Sequence, residues 1–118
     1  MKKKVLIVED DQLLAYLIET YATNCGCEVI GNVDNGKEAI LIAQKELPDY
    51  ILMDIRIEGP IDGIETALVI NETSNIKIIY LSGNSDEQTY SRAQKTNLFG
   101  FLVKPVIQKE LCQYLSLS

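Results

Sequence analysis

Six side chains in this sequence have the types and spacing to do chemistry together. Glu9, Asp10 and Asp11 stand in a row, while Asp54, Ser82 and Lys104 each follow directly on an apolar run. Clustered carboxylates repel one another and need either a cation or a shared proton. Oxygen ligands without His or Cys suit a hard cation such as Mg2+, which binds through one or two carboxylates, waters and phosphate oxygens. Lys104 would add a second positive charge. Metal and lysine together would turn a cluster that repels phosphate into one that receives it. Asp54 could then act as a carboxylate nucleophile forming an aspartyl phosphate. Mg2+, Lys104 and the Ser82 hydroxyl would stabilise the phosphoryl oxygens, because this chemistry depends mainly on positioning and charge. Taken singly, each residue has a plainer reading. Asp54 could cap a loop or helix, the acidic trio could mark a helix N-terminus favoured by the dipole, Ser82 could be a turn residue, and Lys104 a solvated lysine.

The elements that must bring these residues together alternate strand and helix five times. Lys4 to Val8 reads as the first strand. Gln12 to about residue 23 reads as a helix with Leu13, Leu14, Leu17, Ile18 and Tyr21 at helical spacing, Asp11 as N-cap and Gly26 as stop. A second strand runs from Glu28 to about Val33, and Asp34-Asn35-Gly36 turns into a helix over Lys37–Glu46 that ends before Pro48. The run Tyr50-Ile51-Leu52-Met53-Asp54-Ile55-Arg56 reads as a strand buried on both faces and ending at a carboxylate. Helix over Gly63 to about Asn71, strand over Lys77–Leu81, helix over Asp86 to about Thr96, strand over Phe99–Val103 and helix from Ile107 to about Leu117 complete the chain. The fourth helix is weakly anchored, with only Tyr90 and Ala93 as an apolar seam. Such alternation implies right-handed crossovers and a parallel sheet covered on both faces. The expected fold is an α/β, flavodoxin-like (βα)5 doubly wound five-stranded parallel sheet of strand order 2-1-3-4-5. That order sets strands 1 and 3 side by side at the switch point, so the acidic trio and Asp54 should meet in one crevice.

At 118 residues, 47% hydrophobic and 24% charged, the chain is expected to be one globular domain over 1–118. Eleven Lys and Arg against 17 Asp and Glu leave a net charge of -6, which argues against nucleic-acid binding by this domain. No apolar run approaches the roughly 20 residues that span a bilayer. Met1-Lys2-Lys3-Lys4 imitates the start of a signal peptide, but the apolar run behind it stops at Glu9, so the expected location is cytoplasmic and away from membranes. Cys25, Cys27 and Cys112 do not suggest a disulfide framework, and the Cys-x-Cys spacing fits neither zinc nor redox pairs. They read as structural or incidental. The chain contains no histidine, which removes Ser-His and Cys-His catalysis.

The sequence resembles the receiver domain of two-component response regulators from end to end. The matching motifs are Val5-Leu6-Ile7-Val8-Glu9-Asp10-Asp11, Leu52-Met53-Asp54-Ile55, Asp62-Gly63, Tyr80-Leu81-Ser82-Gly83 and Phe101-Leu102-Val103-Lys104-Pro105, all in the family's order and spacing. The resemblance implies that Asp54 is the phosphoacceptor. It implies that Asp10 binds Mg2+ directly, Glu9 through water, and that the backbone carbonyl of Arg56 completes the protein's share. Ser82 matches the switch hydroxyl, Phe101 the switch aromatic, and Lys104 the phosphate-binding lysine, whose bond to Pro105 is expected to be cis. Two departures stand out. The loop from Ile55 to Ile61 is one residue longer than in the commonest receivers. Phe101, often tyrosine in the family, has no hydroxyl, so it could be a moving aromatic or simply core.

The implied function is a phosphorylation-controlled signalling switch, not an enzyme in its own right beyond self-catalysed phosphoacceptance and autodephosphorylation. Its partners would be a histidine kinase as phosphodonor and a downstream protein or output domain, read through the fourth helix, fifth strand and last helix. The domain would be a monomer or a phosphorylation-linked dimer. No output domain follows the last helix, so the sequence is expected to be a single-domain regulator or a fragment. Arg56 and Asn84 are expected beside the phosphate pocket. A haloacid-dehalogenase-type phosphatase would need an Asp where Arg56 stands. A flavodoxin would need a Ser/Thr/Gly-rich phosphate loop where this chain has acids. A receiver-like module that is never phosphorylated fits poorly with an intact acid cluster.

Overall fold

A computed structural model describes residues 2–83 and 86–116. The elements alternate without exception: β1 (Lys4–Val8), α1 (Gln12–Asn24), β2 (Glu28–Val33), α2 (Gly36–Glu46), β3 (Tyr50–Asp54), α3 (Gly63–Asn71), β4 (Lys77–Ser82), α4 (Glu87–Ala93), β5 (Leu98–Val103) and α5 (Gln108–Leu115). The five strands form one parallel sheet of order β2-β1-β3-β4-β5, as the alternation predicts.

The period-two rule of a strand divides the core into two layers. Leu6, Val8, Ile51, Met53, Ile78 and Tyr80 face α2, α3 and α4, where Ala39, Ala43, Ile64, Ala67, Ile70 and Ala93 meet them. Val5, Ile7, Tyr50, Leu52, Ile79 and Leu81 face α1 and α5, where Ile18, Ala22, Leu111 and Leu115 meet them. Every residue of β3 is buried, which is why its sequence runs apolar without alternation.

Helix starts follow their capping chemistry. Asp11, Asn35, Asp62 and Asp86 each accept backbone N–H bonds from the first turn they precede, and Asp62 forms a reciprocal capping box with Glu65. Gly26, in the left-handed region at φ 88, stops α1 as expected.

Three expectations need correction. The α1 seam is displaced: Leu13 and Leu17 are exposed, and Ala15, Ile18 and Ala22 form the buried stripe. The helix lies on the sheet through Ile18 and the small residues Ala15 and Ala22, with Leu14 and Tyr21 packed at the flank. The fourth helix is shorter than the pattern implied, because beyond Ala93 the chain tightens into turns in which Lys95 N–H bonds the Arg92 carbonyl and Thr96 N–H bonds that of Ala93. Finally, Cys25 and Cys112 are joined as a disulfide, leaving Cys27 buried and free. Their 87-residue separation conceals the pairing in the sequence; packing α5 beside α1 brings the two Cα atoms to 5.3 Å.

Candidate functional site

Register aligns the strand ends. Val8 pairs with Met53, Asp54 with Leu81, and Ser82 with Val103. The residues just past these pairs therefore emerge on one edge of the sheet. Backbone bonds tie the exits together: Glu9 N–H to the Val33 carbonyl at 2.9 Å, Ile55 N–H to Leu81 at 3.3 Å and Lys104 N–H to Ser82 at 2.7 Å.

Glu9, Asp10 and Asp54 each offer a carboxylate oxygen within 4.8 Å of the others. Glu9, Asp54 and Ser82 are buried, whereas Asp10 is only partly buried. Asp11 is not in the cluster. Its side chain caps α1 while its backbone N–H donates to Glu9 Oε2 at 3.1 Å. Lys104 Nζ lies 3.1 Å from Glu9 Oε1 and 3.3 Å from Asp54 Oδ2. Glu9 Oε1 is buried and has the Lys104 ammonium as its close contact, with no well-aligned hydrogen bond. Arg56 N–H donates to Asp54 Oδ1 at 3.3 Å and begins the loop back towards α3.

Charge balance in this pocket is incomplete, since three carboxylates face one ammonium. Burial and the neighbouring Asp54 carboxyl push Glu9 above the usual carboxylate range. Partial burial, then Glu9, push Asp10 in the same direction. For Lys104, burial would lower the ammonium, but attraction to Asp54 and Glu9 outweighs it and holds the group above its ordinary value. An oxygen-only donor set, a buried carboxylate oxygen without a hydrogen bond and surplus negative charge together fit a small hard cation.

A cavity of about 350 Å³ opens at this edge, lined by Asp10, Asp54, Ile55, Arg56, Ser82, Gly83, Thr89 and Lys104. Thr89 is a contributor that sequence reasoning missed. It comes from the first turn of α4, where its N–H bonds Asp86 at 2.7 Å, and nothing in the linear pattern aims that turn at the pocket. Asn84 lies outside the described residues.

The loop after Asp54 is closed at its base by Gly63 N–H to the Ile55 carbonyl at 2.7 Å. Glu58 bridges to Asn35, Ile57 packs on the core, and Gly59 adopts φ 104. Phe101 is half-buried, edge-on to Tyr90 with ring centroids 5.4 Å apart and tilted against Tyr80 at 6.2 Å. The Lys104-Pro105 bond is cis, as the resemblance implied.

Comparison with known proteins matches this architecture. The family model described as the response regulator receiver domain matches residues 5–116. The transcriptional regulatory protein PdtaR of Mycobacterium tuberculosis is 28% identical over 116 residues, covering 98% of this chain and 56% of PdtaR. The chain thus spans about half the length of that relative. The signal receiver domain of a modulated diguanylate cyclase from Desulfovibrio desulfuricans G20 superposes with TM-score 0.89 and 37% identity, covering 98% of this chain and 91% of that one. The receiver domain of sensor histidine kinase PA1611 from Pseudomonas aeruginosa PAO1, solved with a magnesium ion coordinated in its active-site cleft, superposes with TM-score 0.86 at 26% identity, covering 98% and 95%. Matched over nearly its whole length by sequence and by fold, this chain belongs to the response regulator receiver domain family, the phosphorylation-controlled switches of two-component signalling.

Proposed function

We propose that Asp54 accepts a phosphoryl group from the phosphohistidine of a partner histidine kinase. In that step the phosphorus–nitrogen bond of the donor breaks and a phosphorus–oxygen bond to the Asp54 carboxylate forms. The observation that carries the reading is the convergence of Glu9, Asp10, Asp54, Ser82 and Lys104 on one sheet edge beside a cavity of about 350 Å³. Glu9, Asp10, Asp54 and the backbone carbonyl of Arg56 would hold Mg2+, which when bound supplies positive charge to the phosphoryl oxygens. Lys104, already 3.3 Å from Asp54, supplies charge on the other side. Ser82 donates its hydroxyl to the same oxygens, and buried Glu9 holds the lysine in place.

The phosphorylated carboxylate gains about 1.5 to 2 negative charges. Drawing Ser82 and Lys104 towards that charge strains β4, β5 and their helices, and Phe101 with Tyr90 rearranges between two populated states. The chain works over 1–118 as one receiver module. A downstream protein or output domain reads α4, β5 and α5, as a monomer or phosphorylation-linked dimer. The donor docks beside the pocket, where an apolar surface is lined by Leu13, Tyr16, Leu17 and Pro105. No helix among the described residues is long and apolar enough to cross a membrane, and we assign the domain's work to the cytoplasm. Slow autodephosphorylation by water resets it.

The test is phosphorylation by a small donor such as acetyl phosphate with Mg2+. The wild-type chain should carry one acid-stable, base-labile phosphoryl group that chelation of Mg2+ prevents, and Asp54→Asn should carry none. Labelling that persists in the variant would overturn the assignment.

A further inference from the structure

The receiver reading leaves one chemical feature unused, the cysteine pair on the seam between α1 and α5. Cys25 is the C-cap of α1 and Cys112 lies in the middle of α5, with Cα atoms 5.3 Å apart. Both residues are half-buried, at the surface end of the seam rather than in the core where Cys27 lies. The third cysteine is kept out of this chemistry. Cys27 is 4% exposed, and burial, then Asp49, push its thiol up, which starves it of the reactive thiolate.

The bond sits where the structure is otherwise weakly held. The eight-residue α5 has no side-chain cap at its start, since Ile107 occupies that position. Its cross-links to α1 are Asn24 Nδ2 donating to Gln108 Oε1 at 2.9 Å and the disulfide. Gln108 and Cys112 are four residues apart and so share one face of the helix. Beyond those links, α5 is held by burial of Leu111 and Leu115 and by Tyr114 lying against Gly100. Only Pro105, Val106 and Ile107 separate Lys104 from the start of α5.

We propose that Cys25 and Cys112 form a reversible thiol–disulfide exchange site whose partners are small disulfides and dithiols, and that its oxidised form locks α5 onto α1. In the opening step a dithiol thiolate attacks one sulfur of the pair, and the other leaves as thiolate and takes up a proton. The second thiol of the reagent then resolves the mixed disulfide. Two electrons pass to the protein, which ends with two thiols, and the reagent ends as a disulfide. Closure runs the same exchange in reverse with a small disulfide such as oxidised glutathione as oxidant. Because the lock holds the helix that follows Lys104, its state also sets the lifetime of the acyl phosphate. That consequence alone rests on the receiver reading.

The experiment equilibrates the full chain in glutathione buffers from reducing to oxidising, traps free thiols with an alkylating reagent and weighs the intact protein. Two thiols should disappear together in one reversible transition, while Cys27 reacts only after denaturation. Cys25→Ser and Cys112→Ser should each abolish the transition. Amide exchange across α5 should be about tenfold faster or more in the reduced protein and in either variant than in the oxidised protein, read under conditions mild enough that α5 opens locally while β3 has yet to exchange through global unfolding. If a variant does not fold, reduced wild type provides the comparison. Three free thiols at every redox condition, stable glutathione adducts instead of an internal bond, or equal α5 protection in both forms would each overturn the proposal. The acyl-phosphate lifetime is then compared between oxidised and reduced protein. A measurable difference is expected, and equal lifetimes would refute the coupling. Failure of both forms to accept phosphate would refute the receiver reading while leaving the thiol transition to stand on its own data.

Discussion

Lys104 is bound to two carboxylates at once, at 3.1 Å from Glu9 and 3.3 Å from Asp54, and yet the pocket keeps excess negative charge. That excess has a testable cost. Burial and mutual repulsion raise Glu9 and Asp10, so both carboxyls hold protons more tightly in the folded chain than in the unfolded one. Their favourable contribution is therefore present below the ordinary carboxylate range and lost as pH rises through the folded values. At neutral pH the metal-free protein carries the penalty. Asp10→Asn should accordingly melt at a higher temperature than wild type without metal, while its Kd for Mg2+ rises by at least about tenfold, as calorimetry would measure. A second residue titrates at the other extreme. Burial pushes the Tyr80 phenol up to about 12, and its hydrogen bond with Thr96 Oγ1 at 2.8 Å only partly opposes this. The folded state thus keeps a proton that the unfolded chain releases near pH 10. The associated stability is complete below about pH 10 and is lost by about pH 12, up to about 3 kcal/mol. Denaturant unfolding as a function of pH should fall less steeply over that window for Tyr80→Phe than for wild type.

Among the elements, the turn from β3 into α3 holds Asp54 most tightly. A Cβ added at Gly63 would press on the backbone carbonyl oxygen of Asp54 and on the Met53 side chain, and a backbone oxygen inside a buried strand cannot move aside. Gly63→Ala should cost about 1–3 kcal/mol in chemical denaturation and slow phosphorylation by small donors. The fourth helix is the opposite case. Ala93 is its buried residue, and it is steadied by the 2.8 Å pair of Arg92 with Asp62, partly exposed and so of small value, and by the Tyr80–Thr96 bond just beyond its end. A short helix with so little buried surface sits at the low end of local stability. Its neighbour Phe101 touches Tyr90 from β5, so movement of one obliges the other to move.

Across the whole molecule, the sheet works as a rigid frame with two differently held faces. Strand β3 is fully buried at the centre and β1 is buried beyond Lys4, while the β4–β5 edge carries the short α4 and α5. Pocket and edge are joined at Lys104, the first residue beyond β5, which pairs with Glu9 and Asp54, and Ser82, the last residue of β4, lines the same cavity. The Cys25–Cys112 link closes a loop of 87 residues between the two ends of the fold. Reduction should lower stability by about 2–4 kcal/mol, since a long open loop regains conformational entropy in the unfolded chain. Thermal unfolding with and without a dithiol checks that figure.

Much of this was legible in the chain. Continuous apolar runs, the cap Asp11 and the stop Gly26 mark local conformations, and local conformation depends on neighbours within a few residues. Strand–helix alternation then restricts the topology to a parallel sheet, so Glu9, Asp10, Asp54, Ser82 and Lys104 could be assigned to one crevice before any coordinates. What stayed hidden depends on how helices lie against the sheet. Leu13 and Leu17 share helical spacing with buried residues yet face outward, because the rotation of α1 on the sheet turns Ala15, Ile18 and Ala22 inward. Thr89, the Arg92–Asp62 pair and the Cys25–Cys112 bond join residues far apart in sequence. No local pattern encodes the packing angles that bring such residues together; burial of the core sets them, and they exist only once the sheet and its helices have closed.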